Sequence, residues 1–289
     1  MKTAPTLHAS ETPADPHDPR VLAFARLVGI VDRLRGDPGC PWDKQQTISS
    51  MAPSLIEEGH EAQEAIERKG DAQVVEECGD LLMVIALIAR IGEDERRFDM
   101  EQVAQAVSDK LVRRHPHVFG DVDARDPDAV LKNWEAIKKA EREAKAEDAS
   151  ALAGVPVALP ALQRSARISS KAVSAGFAWH SVAGAVAKLR EEQRELDEAL
   201  AASGLDCDAR AAASGEQRAA VEAELGDVLL AGAFLAQYLK MDPERLCREA
   251  LFRFEKRFRA MEHDLPGPMK EQTLEVLMQA WGRAKRSTG

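Results

Sequence analysis

Two short acidic segments stand out because their carboxylates are three residues apart and lie beside apolar runs. The first segment contains Glu58 and Glu61, and the second contains Glu77 and Asp80. On a helix, each spacing places both carboxylates on one face, where like charges repel by roughly 0.2 to 0.5 kcal/mol. Two such helices packed side by side would direct four carboxylates to one point. This arrangement is typical of a site for a hard cation such as Mg²⁺.

A solvated helix face is the ordinary explanation of any single acidic pair of this kind. Against it, the second segment contains a glycine, Gly79, between its two carboxylates. Glycine inside a helix costs about 1 kcal/mol relative to alanine, so we expect it to have a structural role that compensates for this cost. The role we expect is to allow two helices to approach closely beside the carboxylates.

The second half of the chain repeats the pattern. Its acidic residues are Glu192, Glu195, Glu224 and Asp227, again with a glycine, Gly226, before the aspartate. Three pairs of landmarks recur 147 residues apart: Asp80 and Asp227, Trp134 and Trp281, Lys138 and Lys285. This common offset predicts a tandem duplication. The second copy has extra small and polar residues around 201–217, which we expect to form a flexible hairpin tip.

Cationic and aromatic residues accompany both acidic sets. They are Lys110, Arg113, Arg114, Trp134 and Lys138 in the first copy, and Arg253, Arg257, Trp281 and Lys285 in the second. The basic residues either cap the ends of helices or neutralise phosphate oxygens. The tryptophans either fill a core or stack on a nucleobase, and the lysine four residues after each one favours stacking. Acidic metal ligands with nearby cations suit Mg²⁺-bound polyphosphate.

Composition limits the classes of protein that remain. The 289 residues carry a formal net charge of −10, which excludes the polycationic field of a non-specific nucleic-acid binder. The longest apolar run, 81–91, contains Arg90 and is too short to span a membrane. Four cysteines without paired spacing indicate reduced thiols and a cytoplasmic protein. No P-loop or Rossmann glycine motif is present, so phosphate binding would depend on metal ions.

Helical periodicity and a composition rich in Ala, Glu, Arg and Leu predict an all-α fold of two tandem helical bundles. We expect a disordered tail at 1–20, domains at 21–148 and 162–289, and a linker at 149–161 rich in proline. The predicted helices cover 21–34, 53–69, 71–91, 98–114, 127–145, 162–175, 182–201, 221–239, 246–263 and 273–286. Gly70 should form the turn of the first acidic hairpin.

Four motifs together resemble the MazG family of nucleoside triphosphate pyrophosphohydrolases. They are the loop Gly39-Cys40-Pro41-Trp42-Asp43, the run Glu57–Glu61, the run Glu77–Asp80, and the long basic run Lys110–Gly120 that contains Arg-Arg-His-Pro-His. The last run is the most specific, and the resemblance extends from about Leu22 to the C-terminus.

The resemblance implies an all-α enzyme, usually a homodimer, that uses Mg²⁺ (or Mn²⁺ in its place). It would convert nucleoside triphosphates to monophosphates and pyrophosphate with broad base tolerance, and thereby clear nucleotides. No nucleic-acid or membrane partner is implied. Carried over by motif, Glu58, Glu61, Glu77 and Asp80 resemble the first metal ligands, and Glu192, Glu195, Glu224 and Asp227 resemble the second. Because the C-terminal domain of the family is generally the catalytic one, we expect turnover at the second set.

Three positions depart from the family pattern. His60 replaces an aromatic residue, Ala178 replaces an aspartate, and Arg253 replaces a lysine. Two other classes of protein stay open. Glu57 and His60 form one E-x-x-H motif of the kind found in di-iron bundles, although the second copy has Glu195 at the matching position. A helical scaffold in which one domain has lost its activity is the non-enzymatic alternative.

Overall fold

The computed structural model describes residues 15–120, 126, 130, 133–134, 136–137, 141, 148, 150–204 and 215–288. Within these residues every regular element is a helix, which confirms the all-α prediction. The chain divides into two compact units, Met1–Lys145 and Ala146–Gly289. No helix among the described residues is long and apolar enough to cross a membrane.

The helices follow the predicted order in both units. The first unit contains α1 (Pro19–Arg35), α2 (Pro41–Gln45), α3 (Ile48–Arg68), α4 (Asp71–Asp94), α5 (Met100–Arg114) and α6 (Pro116–Phe119). The second contains α7 (Ala161–Ser174), α8 (Val182–Ser203), α9 (Gly215–Tyr238), α10 (Pro243–Asp264), a 3₁₀ turn (Met269–Glu271) and α11 (Leu274–Ser287). The described residues of the predicted helix at 127–145 are helical as well.

Helix α3 begins five residues earlier than its periodicity predicts. Thr47 caps it by accepting a hydrogen bond from the Ser50 backbone N–H, and the Ser50 hydroxyl accepts one from the Thr47 backbone N–H. Pro53, predicted to start the helix, lies inside it. The prediction took the start from the apolar period of the helix, which does not include the cap. The two reciprocal hydrogen bonds of the cap move the start to Ile48.

The acidic hairpin of the first unit consists of α3 and α4, which pack along their length. Gly70 lies between them and forms the N-cap of α4, as predicted. The apolar run of α4 is buried against α1 and α3, in a cluster whose buried members are Val31, Met51, Val84, Ala86, Leu87 and Ile91. Arg90 interrupts this run and forms ion pairs with Asp32 and Asp94 at 3.1 and 2.7 Å. The carboxylates of α3 and α4 are therefore held by a packed hairpin.

The second unit has the same hairpin, made by α8 and α9, with α7 packed on α9 and α10 packed on α11. The predicted loop at 201–217 is wrong at both ends, because α8 continues to Ser203 and α9 begins at Gly215. The Gln217 side chain donates to the Ala202 carbonyl at 3.1 Å and joins the two extended helices. The middle of the predicted loop, 205–214, lies outside the described residues.

The predicted domain boundaries shift slightly. The first fourteen residues of the predicted tail lie outside the described residues, and α1 begins at Pro19, inside the predicted tail. The predicted linker at 149–161 belongs to the second unit. Ala153 within it is 8% exposed, so this part of the segment is buried.

Glu141 contacts the end of α5, although it lies 27 residues after Arg114 in the sequence. Its carboxylate accepts hydrogen bonds from the Arg114 Nη2 and the Arg113 Nε, both at 2.6 Å. The two guanidinium groups, Arg114 first, lower the pKa of Glu141 from 4.5 to about 2. The Arg114 guanidinium also lies 5.4 Å from the Trp134 ring. These contacts fix the C-terminal part of the first unit to α5.

Replacing Glu141 by Gln should lower the free energy of unfolding by about 1 kcal/mol at pH 7, since the pair is partly exposed. The folded pKa lies below the ordinary value, so the stabilisation is complete above pH 4.5 and is lost as the pH falls towards 2. Urea unfolding of both proteins at pH 7 and pH 3 measures this difference.

The control is the same substitution in an Arg114→Gln background, where it should cost less because one partner is gone. An equal cost in both backgrounds, or a cost that does not shrink at pH 3, would contradict the role of this pair.

Candidate active site

The first acidic set brings three carboxylates together. Oxygens of Glu58 on α3 and of Glu77 and Asp80 on α4 all lie within 4.8 Å of one another. All three side chains are half-buried. We call these residues the first triad. The packing of α3 on α4 therefore produces the cluster that the two spacings predict.

Negative charge in the first triad is poorly compensated. Partial burial raises the pKa of Glu58, and the charges of Asp80 and Glu61 raise it further. Burial also raises the pKa of Glu77, and the charge of Glu61 adds to this effect. Lys69 reaches Glu77 only at 3.9 Å and forms its closer pair, at 3.1 Å, with Glu64. The triad is a set of oxygen ligands that a cation would stabilise.

The second acidic set forms the same cluster. Oxygens of Glu192 on α8 and of Glu224 and Asp227 on α9 lie within 4.8 Å of one another. We call these residues the second triad. Glu192 is buried, Glu224 is half-buried and Asp227 is exposed. One side of this cluster is thus open to a ligand.

Lys188 is a site residue that the sequence analysis missed. Its Nζ forms ion pairs with Glu192 at 2.8 Å and with Glu191 at 2.9 Å. Hydrogen bonds to these two carboxylates raise the pKa of Lys188, and the same contact lowers the pKa of Glu191. The signal was present, because Lys188 precedes Glu192 by four residues on one helix face. The matching residue of the first copy, four before Glu58, is Ser54.

Glu61 and Glu195, the fourth member of each predicted quartet, lie outside the triads. They remain close enough to interact. Glu61 raises the pKa of Glu58 and Glu77, and the pKa of Glu195 is raised by burial and by a hydrogen bond with Glu192. Their role as metal ligands stays a prediction. His60 is exposed and is not part of the first triad, so the geometry gives the di-iron alternative no support.

The glycines beside the triads do not serve the purpose we expected. A Cβ added at Gly79 or Gly226 would meet nothing within 4 Å. Close approach of helices within a unit therefore does not explain these residues. Both glycines are exposed, so the space that they leave faces away from the core.

The basic residues of the two units differ in their partners. In the first unit Arg113 and Arg114 bind Glu141, while Lys110 is exposed. Among the described residues, Arg253 and Arg257 on α10 have no ion pair. Lys110 precedes Arg257 by 147 residues, so the common offset pairs these two, and it pairs Arg113 and Arg114 with Ala260 and Met261. Ala260 and Met261 lie at or in the second core.

The two tryptophans predicted to bind the base are packed against protein. The Trp134 ring contacts His115 edge-on, with centroids 4.9 Å apart. Trp281 packs on Phe254 at 5.3 Å, and the Lys285 Nζ lies 5.8 Å from the Trp281 ring. Lys138 lies outside the described residues. Substrate contact by these residues stays a prediction.

A cavity of about 340 Å³ adjoins the second triad, and Glu192, Asp227 and Lys188 line one part of it. The rest of its wall is Ser169, Ala172, Val173, Phe177, Ala178, Trp179, Leu230, Ala231 and Phe234. Cavities that bind small molecules are typically about 300–1,000 Å³ and mostly apolar, with a few polar groups. Sequence periodicity could not find this cavity, because α7, α8, α9 and the loop before α8 all contribute to it.

Both triads fit a divalent cation with oxygen ligands. Three carboxylates within 4.8 Å match the donors that Mg²⁺ and Mn²⁺ prefer. Burial first, and neighbouring carboxylates after it, raise the pKa of Glu58 in one set and of Glu195 beside the other. The cation would be held by Glu58, Glu77 and Asp80, or by Glu192, Glu224 and Asp227.

Comparison with known proteins places this site in a family. A family model described as the MazG nucleotide pyrophosphohydrolase domain matches residues 46–119, which include the first triad. The chain is 40% identical over 266 residues to a nucleoside triphosphate pyrophosphohydrolase of Escherichia coli (strain K12), covering 90% of this chain and 96% of that protein.

A second relative matches the chain over a similar length. The chain is 35% identical over 267 residues to the nucleoside triphosphate pyrophosphohydrolase/pyrophosphatase MazG of Thermotoga maritima. That alignment covers 91% of this chain and 96% of the relative, so both units take part. The chain therefore belongs to the MazG family of nucleoside triphosphate pyrophosphohydrolases.

Proposed function

We propose that this enzyme hydrolyses nucleoside triphosphates to nucleoside monophosphates and pyrophosphate at the second triad, with Mg²⁺ as its cofactor and with broad base tolerance. Mn²⁺ would replace Mg²⁺. The observation that carries this proposal is that Glu192 and Asp227 belong to the second triad and also line the adjoining cavity. A cation site and a cavity for an organic group thus meet in one place.

The basic residues favour the second unit over the first. Arg253 and Arg257 have no carboxylate partner among the described residues, so they are free to bind phosphate oxygens. In the first unit the residues 147 positions before them are Ala106 and Lys110, so only one of the two positions carries a cation. Helix α10, which carries the two arginines, packs on α9, which carries Glu224 and Asp227. We infer that the first unit retains a cation site but contributes less to turnover.

The proposed reaction divides its tasks between the cation and side chains of the second unit. A bound divalent cation supplies charge neutralisation and a water of lowered pKa. A glutamate of the site accepts the proton of the attacking water. Attack in line at the α-phosphate breaks its bond to the bridging oxygen of the β-phosphate, and Arg253 and Arg257 stabilise the charge on the departing pyrophosphate.

We also propose a homodimer in the cytoplasm. The three described cysteines, Cys40, Cys78 and Cys247, are free, in keeping with a reducing compartment. The first acidic hairpin exposes apolar side chains near its turn: Ile66 is 65% exposed and Val75 is 73% exposed. Exposed apolar groups near each other favour a contact with another chain.

Asp227→Ala should lower the rate of Mg²⁺-dependent pyrophosphate release at least about 100-fold, because the triad loses a ligand. Asp80→Ala is the matched change in the first triad and should leave most of the activity. Separate assays of pyrophosphate and phosphate from ATP, CTP, GTP and UTP measure both. Full activity in Asp227→Ala with loss in Asp80→Ala would assign turnover to the first unit.

Lys188→Gln should tighten Mn²⁺ binding to the second triad about fivefold without nucleotide, because the Lys188 ammonium group competes with the cation for Glu192. Electron paramagnetic resonance of free Mn²⁺ measures it, in an Asp80→Ala background. The reciprocal change, Ser54→Lys, should weaken binding to the first triad in an Asp227→Ala background. Unchanged affinity in both would mean that Lys188 does not compete for Glu192.

The homodimer is tested by sedimentation equilibrium, in which the wild-type chain should have twice its monomer mass at micromolar concentration. Replacing both Ile66 and Val75 by lysine should shift the protein towards monomer, because charge is costly to bury in an interface. A monomeric wild type contradicts the dimer, and a dimer unaffected by the double change places the contact elsewhere.

A further inference from the structure

We propose that Arg113 and Arg114, at the end of α5, form a binding site for a phosphate-type anion with two or more charges, such as pyrophosphate. Glu141 competes with this anion for the two guanidinium groups. The site shares no residue with either triad and needs no metal ion. It goes beyond the proposed function, because neither arginine takes part in the turnover proposed for the second unit.

The two arginines already bind an anionic group in a way that suits phosphate. The Arg113 Nε donates to one oxygen of the Glu141 carboxylate at 2.6 Å. The Arg114 Nη2 and Nε donate to the other oxygen at 2.6 and 3.2 Å. Arginine binds phosphate oxygens with the same planar set of N–H donors. The two guanidinium groups, Arg114 first, lower the pKa of Glu141 to about 2, so negative charge is strongly favoured at this point.

Glu141 alone does not balance the charge of the two arginines. Two guanidinium groups face one carboxylate, and within the described ranges neither arginine has a second ion pair. One positive charge therefore remains, in a chain whose formal net charge is −10. An anion with two charges at the position of the Glu141 carboxylate would balance both arginines. The Arg113 side chain is 54% exposed, so such an anion can reach the site from solvent.

A buried imidazole nitrogen in the same cluster of side chains lacks a partner. The Nδ1 of His117 is buried and makes no hydrogen bond with any residue that the structure describes. The His117 ring lies 5.6 Å from the His115 ring, which contacts the Trp134 ring at 4.9 Å. The Arg114 guanidinium lies 5.4 Å from the same Trp134 ring. An unpaired polar group inside a protein is unfavourable, and an anion bound in this cluster would offer it an acceptor.

Glu141 can be displaced, because a partly exposed ion pair contributes little to stability. A tethered group competes at an effective concentration on the order of millimolar, which a free anion that binds both guanidinium groups can match. Its binding would release Glu141 from α5 and change the surroundings of Trp134, seven residues earlier in the chain. Enzymes of this family release pyrophosphate, so the site would make the first unit respond to a product of the reaction.

Calorimetric titration of the full chain with pyrophosphate, in EDTA to remove metal ions, tests the site. An Arg253→Gln/Arg257→Gln background removes the two cations that the proposed function assigns to pyrophosphate in the second unit. In this background Glu141→Gln should tighten pyrophosphate binding about fivefold, because the competing carboxylate is gone. Adding Arg113→Gln and Arg114→Gln should abolish the binding. Equal affinity with and without Glu141→Gln, or binding that survives the loss of both arginines, would overturn the proposal.

Asp264→Asn is the matched control in the same background. Asp264 forms an ion pair with Arg283 at 2.6 Å, so this change also frees an arginine and alters the net charge by the same amount. The affinity for pyrophosphate should not change, because only one guanidinium group is freed. A gain equal to that of Glu141→Gln would indicate a general effect of charge and would contradict a site at Arg113 and Arg114.

A second test observes the site in the wild-type chain, labelled with 5-fluorotryptophan and free of metal. The ¹⁹F resonance of Trp134 is assigned by Trp134→Phe. We expect pyrophosphate to shift this resonance saturably, inorganic phosphate to shift it at higher concentration, and AMP to require more than pyrophosphate. No shift with millimolar pyrophosphate, or a shift with AMP at an equal or lower concentration, would contradict the proposed ligand. Neither test involves turnover, so failure of the proposed function at the second triad would leave both results unaffected.

Discussion

Like charges held close together are the constraint on which this structure depends. Each unit places three carboxylates within 4.8 Å, although carboxylates at such distances repel. The apolar faces of the hairpin helices hold them there. In the first unit the buried residues Val84, Leu87 and Ile91 of α4 follow directly after Glu77 and Asp80. The core thus offsets the repulsion between the carboxylates.

The two units have resolved this constraint differently. In the second unit Lys188 lies against Glu192 and partly balances the charge, and an apolar cavity opens beside the triad. In the first unit Ser54 stands at the place of Lys188, and Lys69 gives only a distant contact with Glu77. At the positions that match Arg253 and Arg257 the first unit has Ala106 and Lys110. Both units therefore keep three clustered carboxylates, and in the second unit two of them border a cavity.

Much of the fold could be predicted because it follows from local patterns. Helical periodicity, Gly70 and the common offset of 147 residues gave two helical units with acidic hairpins, and the resemblance gave the family. The start of α3 was misplaced because its apolar period does not include the capping box at Thr47. The ends of α8 and α9 were misplaced because small and polar residues at 201–203 and 215–217 continue the helices.

The site was harder to predict where it depends on contacts distant in sequence. The spacing of carboxylates on single helices found both triads, since a helix fixes which residues share a face. No spacing could reveal that Glu141 binds Arg113 and Arg114, or that Trp179 lines a cavity with residues of three helices. Lys188 could have been found from its spacing of four residues before Glu192 on the same helix, and it was overlooked. Trp281 was predicted to bind the base because Lys285 follows it by four residues. In the structure the Lys285 ammonium group instead lies over the Trp281 ring as a cation–π contact.

The central claim is that the second triad holds the catalytic cation beside a bound nucleotide. The most direct measurement is a crystal structure with Mn²⁺ and a triphosphate whose α–β bridge cannot be hydrolysed, with the metal located by its anomalous scattering. We expect an anomalous peak coordinated by Glu192, Glu224 and Asp227 and by phosphate oxygens of the nucleotide. Nucleotide and metal found together only at Glu58, Glu77 and Asp80 would contradict the account.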